Sequence, residues 1–218
     1  MSSAVAISAS LASAPARPRW MVVCKRALDV VLSLVALIVT LPVMLLALLA
    51  IVAVDPGNPI FRQERVGRGG KPFMMFKLRT MVGGAHDLLP HLRAYNEVDG
   101  PVFKMRADPR LHALGGILRR TSIDELPNFI NVLIGNMSIV GPRPPLPEEV
   151  AHYDAYALRR LSVKPGITCL WQVSGRSNTT YAERVQLDER YVKEWSLRLD
   201  ARILLKTVKV LLKADGAY

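Results

Sequence analysis

From Val30 to Val54 the chain is an apolar run broken only by Ser33, Thr40 and Pro42. A straight helix rising about 1.5 Å per residue would carry a run of this length across a hydrocarbon layer roughly 30 Å thick. Pro42 falls at the middle, where a proline removes one helical hydrogen bond and crowds the turn before it. Cations flank the run on both sides, Arg17, Arg19, Lys25 and Arg26 before it and Arg62, Arg65, Arg68 and Lys71 after it. Such residues mark the cytoplasmic side of a membrane segment, and a single crossing would strand one cluster on the far side. The pattern predicts a re-entrant helix-break-helix over residues 20–55 with its break at Pro42. A plain spanning helix with a tolerated proline is the competing reading.

A second helical period closes the chain. Arg198, Arg202, Lys206, Lys209 and Lys213 recur on one stripe, while Ile203, Leu204, Val208, Leu211 and Leu212 fill the rest. This predicts an amphipathic helix on the membrane surface over residues 197–218, with a basic helix packed on a soluble core as the alternative. Between the two, residues 56–196 read as a small cytosolic domain. Two β-prone runs around a Gly-rich turn predict a hairpin over residues 59–80, and helices are expected over Leu111–Arg120, Glu148–Leu161 and Tyr181–Trp195, with a short one in L-L-P-H-L-R-A-Y. G-N-M-S-I-V-G-P-R-P-P-L-P is too rich in turn formers for a long helix. The fold class expected is α-rich α+β. Residues 1–19, rich in Ser, Ala and Pro, are expected to be disordered.

Composition narrows the chemistry. The 218 residues carry a formal net charge of +11, which suits anionic lipid, phosphate or nucleic acid. No helix-turn-helix, zinc finger or aromatic-basic sheet pattern supports nucleic acid. Cys24 and Cys169 are too far apart in sequence for a C-x-x-C pair and form no disulfide framework, and the four histidines lack zinc-ligand spacing.

Against this basic background, R-R-T-S-I-D-E-L-P sets Asp124 and Glu125 side by side. One reading is a capping box, with Ser122 as the N-cap and Glu125 reaching back to it. Pro127 places both acids within about one turn of a helix start. The other reading is chemical. Lys77, Arg79, Arg119, Arg120 and Arg143 supply cations in motif-like settings. A carboxylate facing an electrophilic phosphorus is a nucleophile, a role for Asp124. Its neighbour Glu125 would hold Mg²⁺, which binds through one or two carboxylates plus substrate phosphates. Arg143, fixed between prolines, would clamp phosphoryl oxygens.

These segments together carry a resemblance. K-R-x-L-D, F-R-Q-E-R-x-G, F-K-L-R-T-M, L-R-R-T-S-I-D-E-L-P, G-N-M-S-I-V-G-P-R-P and K-P-G-I-T occur here in the order found in bacterial sugar transferases, the monotopic phosphoglycosyl transferases that start exopolysaccharide, capsule and O-antigen synthesis. The chain resembles them from about Lys25 to Tyr218, and its ending is similar to the exopolysaccharide branch that loads galactose or glucose phosphate. The resemblance implies a re-entrant helix broken near Pro42 and an Asp124–Glu125 dyad in which Asp124 attacks the β-phosphate of a UDP-hexose. UMP would leave, and undecaprenyl phosphate would take the sugar phosphate from the covalent intermediate. It further implies Mg²⁺ at Glu125 and Asp124, phosphate contacts from Lys77, Arg119 and Arg143, and a place on the cytoplasmic face of the bacterial inner membrane, against anionic lipids. Two positions depart from the family pattern: Leu41 precedes Pro42, and Cys169 stands where glycine is usual. A non-catalytic membrane adaptor of a polysaccharide assembly is the competing function, and whether the subunits form a homo-oligomer is left open.

Overall fold

The computed structural model describes residues 15–97, 99, 103, 105–175 and 179–213. Most of the expected N-terminal tail and the end of the C-terminal segment lie outside these residues. Helix α1 spans Arg19–Val54 and stays helical through Pro42. The expected break is therefore not an interruption of the helix. Only the proline N–H is lost, the backbone on either side remains helical, and Thr40 Oγ1 donates to Ala36 O at 2.7 Å in the turn before it. Only 11% of its most apolar stretch is covered by protein, which distinguishes α1 from the core helix of a soluble domain.

α1 touches the rest of the chain in two zones separated by exposed leucines and valines. Near its end Ile51, with Met44, Ala47 and Leu48, packs against Leu78 and Leu118. Near its start the buried Asp29 accepts hydrogen bonds from Ser138 Oγ and Ile139 N, both at 3.0 Å. Lys25 pairs with Asp29 at 3.3 Å and with Asp200 at 2.8 Å.

The hairpin forms as expected. Strands β1 (Ile60–Val66) and β2 (Pro72–Leu78) run antiparallel, with Arg65 opposite Phe73 and Gln63 opposite Met75. Gly69 and Gly70, both at φ 74°, make the turn in a region that side chains resist. Side chains alternate across a strand, so Arg65, Met75 and Lys77 share one face. Helix α2 (Ala85–Leu92) covers the short helix expected there. Helix α3 is confined to Gly115–Arg120, because Leu111 pairs with Met81 and a side chain at residue 115 would meet Thr80 O at 2.1 Å.

After α3 a 3₁₀ turn, Ile123–Glu125, leads into helix α4, Asn128–Ile134. The α4 carbonyls of Val132 and Leu133 accept from Arg26 at 2.6 and 2.7 Å, a cation at a helix C-terminus. Asn131, fully buried, accepts from Phe76 N at 3.1 Å and donates to Met74 O at 2.7 Å. Its amide thus stands in for a third strand on the outer edge of β2. Asn131→Ala would leave both backbone groups unpaired, and we expect a loss of about 2–4 kcal/mol, read from thermal or denaturant unfolding in detergent.

Two three-residue strands, β3 (Ser138–Val140) and β4 (Gly166–Thr168), the second in the loop where a short extended piece was expected, pair in parallel. They approach so closely that a Cβ on Gly166 would lie 2.1 Å from Gly141 N. This contact explains the glycines of V-G-P-R-P and K-P-G-I-T together. The helix expected over Glu148–Leu161 is instead α5 (Pro147–Val150), α6 (Ala155–Leu158) and a 3₁₀ turn. Asp154 starts a new helix there by accepting from Ala157 N at 2.7 Å. Helix α7 (Tyr181–Glu194) opens with a capping box at Thr180 and Glu183. Helix α8 (Leu197–Lys213) buries Ile203 and Asp200 and leaves Leu205 and Val208 exposed. Met75, Val132, Met137, Ile139, Val140, Leu170, Tyr191 and Ile203 form the main core. The architecture is helix-rich with two small sheets.

Candidate functional site

Four separate segments meet at the acid pair. Ser122, at φ 58°, is the one non-glycine residue with positive φ among the described residues, and it reverses the chain between α3 and the 3₁₀ turn. That conformation undoes the expected capping box: the Ser122 side chain caps nothing, and Glu125 turns to Lys77. A capping box needs an extended N-cap, which Ser122 does not adopt. Pro127 does stand at the start of α4, so the acids precede a helix as expected.

Lys77 Nζ lies 2.6 Å from Glu125 Oε1. Arg119, from the last turn of α3, donates to Thr80 Oγ1 at 3.1 Å and lies within electrostatic reach of Asp124. Arg143, placed by the β3–β4 contact, lines a small open cleft with Lys77, Glu125, Arg65, Asn128 and Gln172. Cys169 is buried and donates to Gln172 Oε1 at 3.2 Å, so the departure from glycine bears on the wall of this cleft.

The two acids are driven apart electrostatically. Burial raises the pKa of Asp124 to about 6; Lys77 opposes this and the neighbouring Glu125 adds to it. Burial pushes Glu125 the same way, but Lys77, Arg143 and Arg65 prevail and hold it below the usual range. Burial, then Arg143, lowers Arg65 to about 10, with Glu149 and Glu125 opposing. Burial also pulls Arg119 down, while Asp124 and Asp108 hold it up. Cations this close, some of them losing protonation free energy to each other, form a site that an anion stabilises. Adjacent carboxylates with opposite shifts are the pattern of a functional pair.

No group of three or more His, Cys, Asp or Glu side chains gathers among the described residues. The donors available here are Asp124, whose carboxyl has no side-chain hydrogen-bond partner among the described residues, and Glu125. That set fits Mg²⁺, which completes its octahedron with water and phosphate oxygens.

Two of the expected phosphate ligands lie elsewhere. Arg79 pairs with Asp55 at 3.2 Å and packs against Gly57, tying the end of α1 to the hairpin. Arg120 is exposed on α3. Pattern reasoning passed over two residues that the cleft includes. Arg65 is 5% exposed and donates to Pro144 O at 3.0 Å, and Asn128 is 2% exposed with Oδ1 unpaired. Strand alternation from Lys77 through the hairpin register points to Arg65, and Asn128 lies one helical turn beyond the acids.

The family model described as bacterial sugar transferase matches residues 20–214. The chain is 44% identical over 198 residues to undecaprenyl-phosphate galactose phosphotransferase of Salmonella typhimurium, covering 89% of this chain and 41% of that one. It is 37% identical over 198 residues to exopolysaccharide production protein ExoY of Rhizobium meliloti, covering 89% and 88%. It is 44% identical over 207 residues to UDP-glucose:undecaprenyl-phosphate glucose-1-phosphate transferase of Caulobacter vibrioides, covering 89% and 72%. The chain spans about two-fifths of the length of several other curated relatives that it matches.

Proposed function

Because this chain belongs to the bacterial sugar transferase family, we propose that it transfers a hexose 1-phosphate from a UDP-hexose to undecaprenyl phosphate. The observation that carries this reading is the split acid pair inside a ring of cations, Lys77, Arg65, Arg119 and Arg143. An Asp124 carboxylate oxygen attacks the β-phosphorus of the donor. The bond from that phosphorus to the bridging oxygen breaks, and UMP leaves with the electron pair. An oxygen of the lipid phosphate then attacks the same phosphorus, the aspartyl bond breaks, and Asp124 returns as a carboxylate.

Arg143, Lys77 and Arg119 offset the charge on the phosphoryl oxygens, without which a carboxylate would be repelled. Glu125 and Asp124 would hold Mg²⁺, which when bound neutralises diphosphate charge. Asp124 at a pKa of about 6 is largely ionised at pH 7 yet more basic than an ordinary aspartate, which favours attack.

The acceptor is a lipid, so the cleft must sit at a membrane. α1 meets the domain near both Asp29 and Ile51 and exposes its apolar middle, which supports an anchor in the bacterial inner membrane with the domain on its cytoplasmic face; the re-entrant course would further need a bend of the continuous helix at Pro42. The exposed Leu205 and Val208 beside Arg202, Lys206 and Lys209 suit α8 to an anionic surface.

Purified protein incubated with labelled UDP-glucose or UDP-galactose, undecaprenyl phosphate and Mg²⁺ should release UMP, and a magnesium chelator should stop it. Release of UDP would overturn the assignment.

A further inference from the structure

Lys164, in the loop before β4, is half-buried, and its ammonium makes no ion pair or hydrogen bond among the described residues. It stands beside Gly135, the left-handed residue that ends α4. A Cβ at that glycine would lie 3.6 Å from Lys164 Nζ and 3.7 Å from Arg26 Nη2, so the two cations face each other across it. Burial, then Arg26, lowers the pKa of Lys164; Asp29 opposes this, while Arg68 from the hairpin turn and Lys25 add to it.

The acids at hand do not neutralise this group. Asp29 is taken by Lys25, Ser138 and Ile139, and Asp200 by Lys25, Tyr191 and Trp195. Against these two carboxylates stand four cations, Lys25, Arg26, Arg68 and Lys164. The C-terminus of α4, whose last carbonyls Arg26 already holds, offsets roughly half a charge. Positive charge is left over at Gly135, and an anion is the group that relieves it.

The surroundings restrict that anion. Ile134, next to Gly135, is 62% exposed, and Val23, one turn before Arg26 on α1, is 66% exposed. The apolar run of α1 begins at Val30, four residues after Arg26. A free phosphate would use the cations and leave these side chains in water. A phosphate that carries acyl chains uses both, its headgroup on the cations and its chains along Val23, Ile134 and the apolar run.

We infer that Lys164, Arg26 and Arg68 form a seat at the end of α4 for the phosphate of an anionic phospholipid. The inference rests on the membrane placement proposed above and adds to it one discrete lipid site. Gly166, two residues after Lys164, lines the acid-pair cleft, so a lipid held here would steady backbone that shapes the cleft.

The full chain, purified in a neutral detergent, is titrated with phosphatidylglycerol and separately with phosphatidylcholine, and bound lipids are counted by native mass spectrometry. The first phosphatidylglycerol should bind about fivefold or more tightly than the first phosphatidylcholine. Lys164→Gln should weaken it about fivefold, the usual weight of one cation at an anionic lipid, and Arg68→Gln somewhat less. Lys164→Arg should keep the lipid. Arg26 is left in place because it also caps α4. Without lipid, Lys164→Gln should melt no lower than the unaltered protein, since it removes no internal partner. Equal affinity of the unaltered protein and the folded Lys164→Gln/Arg68→Gln variant for phosphatidylglycerol would overturn the inference. So would displacement of the lipid by inorganic phosphate at the lipid's own concentration, which would make the site one for free phosphate. In either case, if the unaltered chain sediments with vesicles, the lipid site alone is lost; if it sediments with vesicles of neither lipid, the membrane placement falls with it.

Discussion

Asp124→Asn is expected to reduce turnover by about three orders of magnitude or more while raising the melting temperature. The loss of activity follows from removing the nucleophilic oxygen. The gain in stability follows from burial: with a folded pKa of about 6, above the roughly 3.9 of an unfolded aspartate, the ionised carboxyl costs the folded state stability at neutral pH. That cost is present above pH 6 and disappears as the pH falls and the proton returns. Melting curves of the two proteins in nanodiscs should therefore differ by a few degrees at pH 7.5, by roughly half as much near pH 5, and converge only below about pH 4. The same titration should shape kcat/KM of the unaltered protein, which falls as the pH drops below about 6. Full turnover by Asp124→Asn would end the nucleophile assignment.

Arg160→Met should produce the largest loss of stability. Arg160 is 8% exposed and its partner Asp188 only 1%, so the substitution strands a buried carboxylate. Breaking such a pair from one side costs about 3–5 kcal/mol, near 10 °C for a chain of this size. Burial already pulls Asp188 toward protonation and the Arg160 guanidinium opposes it; without that cation the folded pKa of Asp188 rises further. The deficit is then largest at high pH and shrinks as the pH falls and Asp188 takes up a proton. Arg160→Met/Asp188→Leu should recover most of the stability, since a matched apolar pair removes both desolvation costs. If the single and double variants melt together, the pair contributes nothing.

The sequence reading succeeded where the pattern was long and failed where geometry was decided by one contact. The apolar run, the hairpin and α7 carry many turns or alternations of their own period, so they were legible. Strands β3 and β4 have three residues each, too few for a period, and their pairing joins segments far apart in sequence through backbone hydrogen bonds and one close glycine contact. Lys77 and Arg79 were both read from F-K-L-R-T-M, and Lys77, inside β2, points to the acids. Arg79 carries the same charge two residues on, but β2 stops at Leu78, so alternation no longer directs its side chain and Asp55 captures it. Arg119 and Arg120 are neighbours in sequence, yet adjacent helical residues point about 100° apart, and only Arg119 turns inward. The capping box failed because the left-handed backbone of Ser122 leaves no trace in an S-x-x-E pattern.

Lys25 binds Asp29 within the first helix and Asp200 within the last. One ammonium thus fastens the first described helix to the last, so that removing it should loosen both ends of the domain at once and not one alone.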